Sequence, residues 1–298
     1  MPAVGLEGPA VQSSSGEGDS AMAVPILDTH LHLVYLDRFS YPWLELERYL
    51  KAQRPVESYF AEAEALGIEA AMHMEVDVAE DEIEDETRFV TRLDPRIAGA
   101  IAACRPESRN FASQFETLSA IAGVRGFRRI LHTQPDGLSQ TSVFRDNLRR
   151  LADGDFTFDL CLRADQLLPV GAPLVDQCNE VQFVLDHCGV PNIATGDFGA
   201  WRDAVSELAR RPNLACKVSG IIAYAGPNPT AAALRPYVEH VIASFGWNRV
   251  VWGSDHPVCT RYANLTRWVE ISREIVAGAS DSEQRRLFAD NARRLYRL

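Results

Sequence analysis

From Pro25 onward, short apolar runs alternate with stretches in which apolar residues recur at helical spacing. The runs ILDTHLHL (26–33), IEAAMHMEVD (68–77), RIAGAIAAC (96–104), GVRGFRRILH (123–132), FTFDLCLR (156–163), VQFVLDHCG (181–189), LACKVSG (214–220) and RVVWGSDHP (249–257) read as strands. Helices are expected near 55–66, 79–92, 108–121, 141–152, 164–179, 199–211, 229–245 and 263–277. A closing helix is expected at 281–295, capped by Asp281 or Ser282 with Glu283 in its first turn. The strands are apolar on both faces, as in a parallel sheet covered by helices. Eight strands alternating with eight helices predict an α/β fold with a single (β/α)8 TIM barrel over residues 25–298. A doubly wound open sheet is the alternative, but neither G-x-G-x-x-G nor G-x-x-x-x-G-K-[ST] follows the first strand.

Residues 1–24 break the pattern. They are rich in Gly, Ser and Pro, lack apolar periodicity, and read as a flexible N-terminal tail in which Met22 offers an alternative start. No apolar h-region of a secretory signal is visible. The six cysteines stand singly, mostly inside strand-like runs, which suits reduced thiols in a cytoplasmic protein. Thirty basic against forty-one acidic residues give a net charge of −11, which argues against a nucleic-acid partner. No run is long enough for a membrane span. The acidic excess is expected on the outer helices, as in EDEIEDE at 80–86, with a less negative barrel mouth. A homo-oligomer is compatible with everything above.

The ionisable residues are not scattered. His30 and His32 close the first run, Glu75 the second, Arg128, Arg129 and His132 the fourth, His187 the sixth, Lys217 and Ser219 the seventh, and Asp255 with His256 the eighth. In a barrel these ends converge on one face, where active sites are built. Alternation puts His30 and His32 on one side of their strand, either as a metal clamp or as two hydrogen-bond donors. Asp255 follows Gly253, which permits close approach, and precedes Pro257; its carboxylate suits metal ligation and proton removal from water. His187 reads as a ligand, a donor to a carbonyl oxygen, or a packed core histidine. Glu75, on the same parity as His73, reads as a ligand or a charge partner, and Lys217 as an ion-pair member or a substrate contact. Parity separates Arg128 from Arg125 and Arg129. The long connection 37–55 carries Tyr41 and Trp43 and has the length of a lid.

These motifs resemble the amidohydrolase superfamily, in the branch of sugar-acid lactonases and 2-pyrone-4,6-dicarboxylate lactonases. The resemblance rests on LDTHLHL, YPWL, MEVD, GFRRILHTQPD, VLDHCG, KVSG, VWGSDHP and NARRLYRL, in order over residues 26–298. It implies a distorted (β/α)8 barrel that hydrolyses a carbon–oxygen or carbon–nitrogen bond. Metal-using members carry ligands that match His30, His32, His187 and Asp255. The chain departs from them in having no histidine in FDLCLR and no lysine in GFRRIL, which argues against a two-metal centre and leaves one Zn2+ or a metal-free site. The resemblance therefore implies a lactonase, opening a sugar-acid lactone such as an L-fucono- or L-rhamnono-lactone. Asp255, His187, His30 and His32 are the expected catalytic residues. Arg128, Arg129, Tyr41, Trp43, Glu75 and Lys217 are the expected substrate contacts. A zinc-dependent decarboxylase of an aromatic or muconate-type acid is the enzymatic alternative; a barrel that binds a sugar acid without chemistry is the other.

Overall fold

Eight parallel strands pair in sequence order in a computed structural model that describes residues 24–298. They are β1 (Ile26–Leu31), β2 (Ile68–Met74), β3 (Ile97–Ala103), β4 (Val124–Ile130), β5 (Thr157–Cys161), β6 (Gln182–Leu185), β7 (Leu214–Ser219) and β8 (Val250–Gly253). The barrel closes beyond the end of β8, where the Asp255 N–H donates to the His30 carbonyl and the His32 N–H to that of His256, both at 2.8 Å. The helices α1 (Val56–Ala63), α2 (Ile83–Val90), α3 (Phe111–Ser119), α4 (Ser142–Asp153), α5 (Ala172–Gln177), α6 (Gly199–Leu208), α7 (Ala231–Phe245) and α8 (Leu265–Val276) lie in the connections. Residues 1–23, which hold most of the expected tail and Met22, fall outside the described residues. Val24 packs against the core, and its carbonyl accepts from Arg273.

Each expected strand and helix has a counterpart. The strands stop one to four residues early because their polar ends leave the ladder for loops, as β6 does at Leu185. The helix expected at 164–179 is divided into a 3-10 turn, a π turn and α5, since Pro169, Gly171 and Pro173 interrupt it. The closing segment is likewise α9 (Asp281–Arg285), a π turn and α10 (Asn291–Tyr296). Its cap is Ser280, one residue before the expected position. Extended backbone there lets the Ser280 hydroxyl accept from the Glu283 N–H while the Glu283 carboxylate accepts from the Ser280 N–H.

Side chains alternate across the barrel wall. Phe127, Phe158, Phe183 and Trp252 face outward into the helical layer. Leu27, Met72, Met74, Ile101, Val184, Ala215 and Val251 form an interior apolar cluster, packed on Ala292, Leu295 and Tyr296 of α10. The closing helix thus plugs the lower end. Two residues on from Val184 and Ala215, the same inward side carries Asp186, just past the end of β6, and Lys217 of β7. Gly253 lets β8 approach β1, since a Cβ there would stand 2.8 Å from that of His30. Among the described residues, no helix is long and apolar enough to cross a membrane.

Candidate active site

The strand ends build a buried ionic cluster from the barrel floor upward. Lys217, fully enclosed, donates to Asp159 at 2.9 Å and lies 3.2 Å from Asp186. Burial opposes its charge, but the two carboxylates outweigh burial and hold its pKa above the usual lysine value. Burial likewise works against the charge on Asp186; Lys217 and His30 overcome it and hold that carboxyl well below the ordinary range. Asp159 is pushed up to about 6 by burial, with Lys217 opposing. His30 stands over this layer, its Nδ1 3.4 Å from Asp186 and 3.3 Å from Lys217, and its Nε2 3.4 Å from Arg128.

Asp255 sits above His30 in left-handed backbone, φ 57°. Its Oδ1 lies 3.4 Å from His32 Nε2 and 3.7 Å from His30 Nε2, and its Oδ2 lies 3.7 Å from His187 Nδ1. Burial pushes the carboxyl up to about 6, while His187 and Arg128 pull the other way. Burial also lowers all three histidines, His32 to about 3, so they are neutral at pH 7. His32 Nδ1 is 3.1 Å from the Met74 carbonyl, which only accepts, so the ring proton sits there. Its bare Nε2 then faces a carboxylate oxygen, and two acceptors at this distance need a proton or a cation between them.

The other expected residues are placed variously. Arg128 points inward, donating to a Glu75 carboxylate oxygen at 2.6 Å and to the Glu75 carbonyl at 2.8 Å. Arg129 takes the opposite face, as parity predicts, and pairs with Glu107 at 2.7 Å. It is not brought to the cluster. His73 turns toward α2 and Glu86, 3.5 Å away, and so parts from Glu75. The segment 35–53 returns on itself through pairing of Val34 with Arg54. The polar atoms of Trp43 and Tyr41 are tied to backbone: the Trp43 Nε1–H donates to the Val76 carbonyl, and the Tyr41 oxygen accepts from the Tyr35 N–H.

Three members were not foreseen. Asp186 and Asp159 lie on inward parities of β6 and β5, a signal available from Val184 and Cys161. Tyr224, after β7, has its ring edge-on to His187 at 6.4 Å; nothing in its local sequence marks it. Within the buried cluster itself, Arg128 and Lys217 stand beside Glu75, Asp159, Asp186 and Asp255, because buried cations at these positions are held by buried carboxylates.

The Amidohydrolase family model matches residues 27–298. The chain belongs to the amidohydrolase family. It is similar to the L-fucono-1,5-lactonase of Burkholderia ambifaria, 29% identical over 225 residues, which cover 72% of this amidohydrolase and 77% of that protein. It is also similar to the 4-sulfomuconolactone hydrolase of Rhizobium radiobacter, 25% identical over 77% of this chain and 75% of that one. Among solved structures, an amidohydrolase from Burkholderia multivorans with bound zinc superposes with a TM-score of 0.84 at 24% identity, covering 92% of this chain and 99% of that one. The fold is therefore that of a (β/α)8 amidohydrolase barrel, and the chain is a hydrolytic enzyme of that family.

This amidohydrolase has donors that fit one divalent ion. Single ligand atoms of His30, His187 and Asp255 all lie within 4.8 Å of one another, a nitrogen and oxygen set of the kind zinc takes. His32 Nε2 lies outside that trio but presents its bare nitrogen to Asp255. Cys161, Asp186 and His187 form an overlapping group. β5 offers Asp159 and Cys161 inward and no histidine.

Proposed function

We propose that this amidohydrolase opens a lactone, with Asp255 as general base toward water. The observation that carries the reading is the Asp255 carboxylate: enclosed, pushed up to about 6, and ringed by three neutral imidazoles at 3.4–3.7 Å. A base of that strength is ionised at pH 7 yet still takes a proton from water as it attacks. A lactone carbonyl is already electrophilic, so modest polarisation suffices. Arg128 Nη1 is the guanidinium edge that Glu75 does not engage; 3.4 Å from His30 Nε2 and 3.7 Å from Asp186, it supplies positive potential and a donor where the tetrahedral oxyanion develops. Lys217 and Asp186 hold the His30 ring from beneath. His30, His187 and Asp255, with His32 beside them, would hold one Zn2+, which when bound supplies a Lewis acid for the carbonyl oxygen.

The lactonase names of two relatives support the reaction class, and the fucono-lactonase likeness favours a sugar-acid lactone such as an L-fucono- or L-rhamnono-lactone as the small-molecule substrate. The test is a pH-indicator assay of a lactone panel, with and without chelator. Stoichiometric acid release from at least one sugar lactone is expected. Carbon dioxide release from an aromatic acid, with no lactone opened, overturns the reading. Loss of the rate in chelator and its return with Zn2+ assigns the ion a catalytic role; an unchanged rate assigns the chemistry to the side chains alone.

A further inference from the structure

We infer, on the lactonase reading, that the ring accepted by this site carries hydroxyls but no charge, and that Tyr224 determines specificity by donating to one of its oxygens. The first observation is electrostatic. The side-chain cations around Asp255 already have carboxylates: Arg128 has Glu75 at 2.6 Å, Lys217 has Asp159 at 2.9 Å and Arg105 has Asp77 at 3.1 Å. A carboxylate on the substrate would therefore lose its hydration beside side-chain cations that already hold carboxylates, an unfavourable exchange in a buried site. The excess of acceptors favours a ligand that brings donors, as hydroxyl groups do.

The second observation concerns donors. The Tyr59 hydroxyl is engaged by Asp28, Ser219 by His187, and Trp43 by Val76. Tyr224 is half-buried beside His187, and among the described residues its hydroxyl has no hydrogen-bond partner. Its loop is held against the base: a Cβ on Gly220, at φ +61°, would stand 2.1 Å from Asp255 Oδ2. Tyr224 thus projects from a connection anchored on the reacting carboxylate. At the outer rim, exposed Arg261 lies over the rings of Tyr49 and Tyr262, at 5.8 and 5.5 Å, and neither it nor Arg54, bridged to Val34 past β1, has a carboxylate partner among the described residues.

The experiment measures kcat and KM of the full chain on neutral aldonolactones, on δ-valerolactone as a ring without hydroxyls, and on 2-pyrone-4,6-dicarboxylate and muconolactone as carboxylated rings. Neutral aldonolactones are expected to exceed the carboxylated rings by about 100-fold or more in kcat/KM, since a site matched to one set of polar groups rejects another strongly. Tyr224→Phe is expected to lower kcat/KM roughly 10- to 100-fold on aldonolactones, mainly through KM, and to leave δ-valerolactone unchanged. A merely structural tyrosine would move both equally, and that result overturns its assignment. Comparable turnover of a carboxylated ring, lost in Arg261→Ala, places an anion reader at the rim and overturns the charge argument. Failure to open any ring overturns the lactonase reading itself.

Discussion

The two halves of the barrel interior are made by the same strands yet follow opposite chemistry. The lower half is apolar, with Leu27, Met72, Ile101, Val184, Ala215 and Val251 closed off by Leu295 and Tyr296 of α10. One inward step further along, β5, β6 and β7 present Asp159, Asp186 and Lys217, every one fully buried. The apolar half gains from leaving water, at roughly 25 cal/mol per Å2. The ionic half loses hydration and is sustained only because each charge meets its opposite. The boundary is the Tyr296 hydroxyl, which donates to Asp159 at 3.2 Å and so joins the plug to the ion network. Stability should therefore reside below that hydroxyl and chemistry above it, with Lys217 belonging to both.

Substitutions can break that division. Asp255→Asn should lower lactone opening by about 10^3-fold or more while leaving the melting transition close to wild type, because an amide does not take a proton from water. In chelated wild-type protein, kcat/KM should rise with pH through about 6 and level off above it, since the base works only when ionised and burial has raised its pKa. A falling limb over that range would remove Asp255 from the role. Lys217→Met should cost about 3–5 kcal/mol in urea unfolding, since it strands two buried carboxylates. Adding Asp159→Asn should restore part of the loss, and additive losses would deny the network.

Leu295→Ala, in the plug, should cost about 2–5 kcal/mol with kcat and KM unchanged. A matching loss of turnover would show that the two halves are mechanically coupled. Gly220→Ala should do the reverse, lowering kcat about 100-fold by displacing the Asp255 carboxylate, with a smaller stability change read by thermal unfolding. Ser280→Ala is the mildest, about 1 kcal/mol from the cap of α9 and no change in rate.

Much of this arrangement is legible in the chain because it rests on local periodicity. Strand alternation alone separates Arg128 from Arg129, and the two residues do take opposite faces, one toward Glu75 and the other toward Glu107. The same alternation applied to β5 and β6 marks Asp159 and Asp186, though neither carries a recognisable motif. His187 is different. Its inward placement depends on left-handed backbone at φ 53°, just past the end of β6, which no two-residue period predicts. Tyr41 and Trp43 look like lid residues by composition, but their polar atoms meet backbone groups at Tyr35 and Val76.

Sequence alone sufficed for the order of elements, the barrel count and the convergence of His30, His32, His187 and Asp255 on one end. These follow from periods of 2 and 3.6 residues and from the parallel sense they impose. Which of those polar groups remain free to meet a substrate was settled by folding. The partners that engage or spare them come from far along the chain, as Asp159 does for Lys217 and Glu75 for Arg128. Hydrogen bonds and ion pairs depend on positions good to a fraction of an ångström, and a pattern of residue types does not carry distances of that kind.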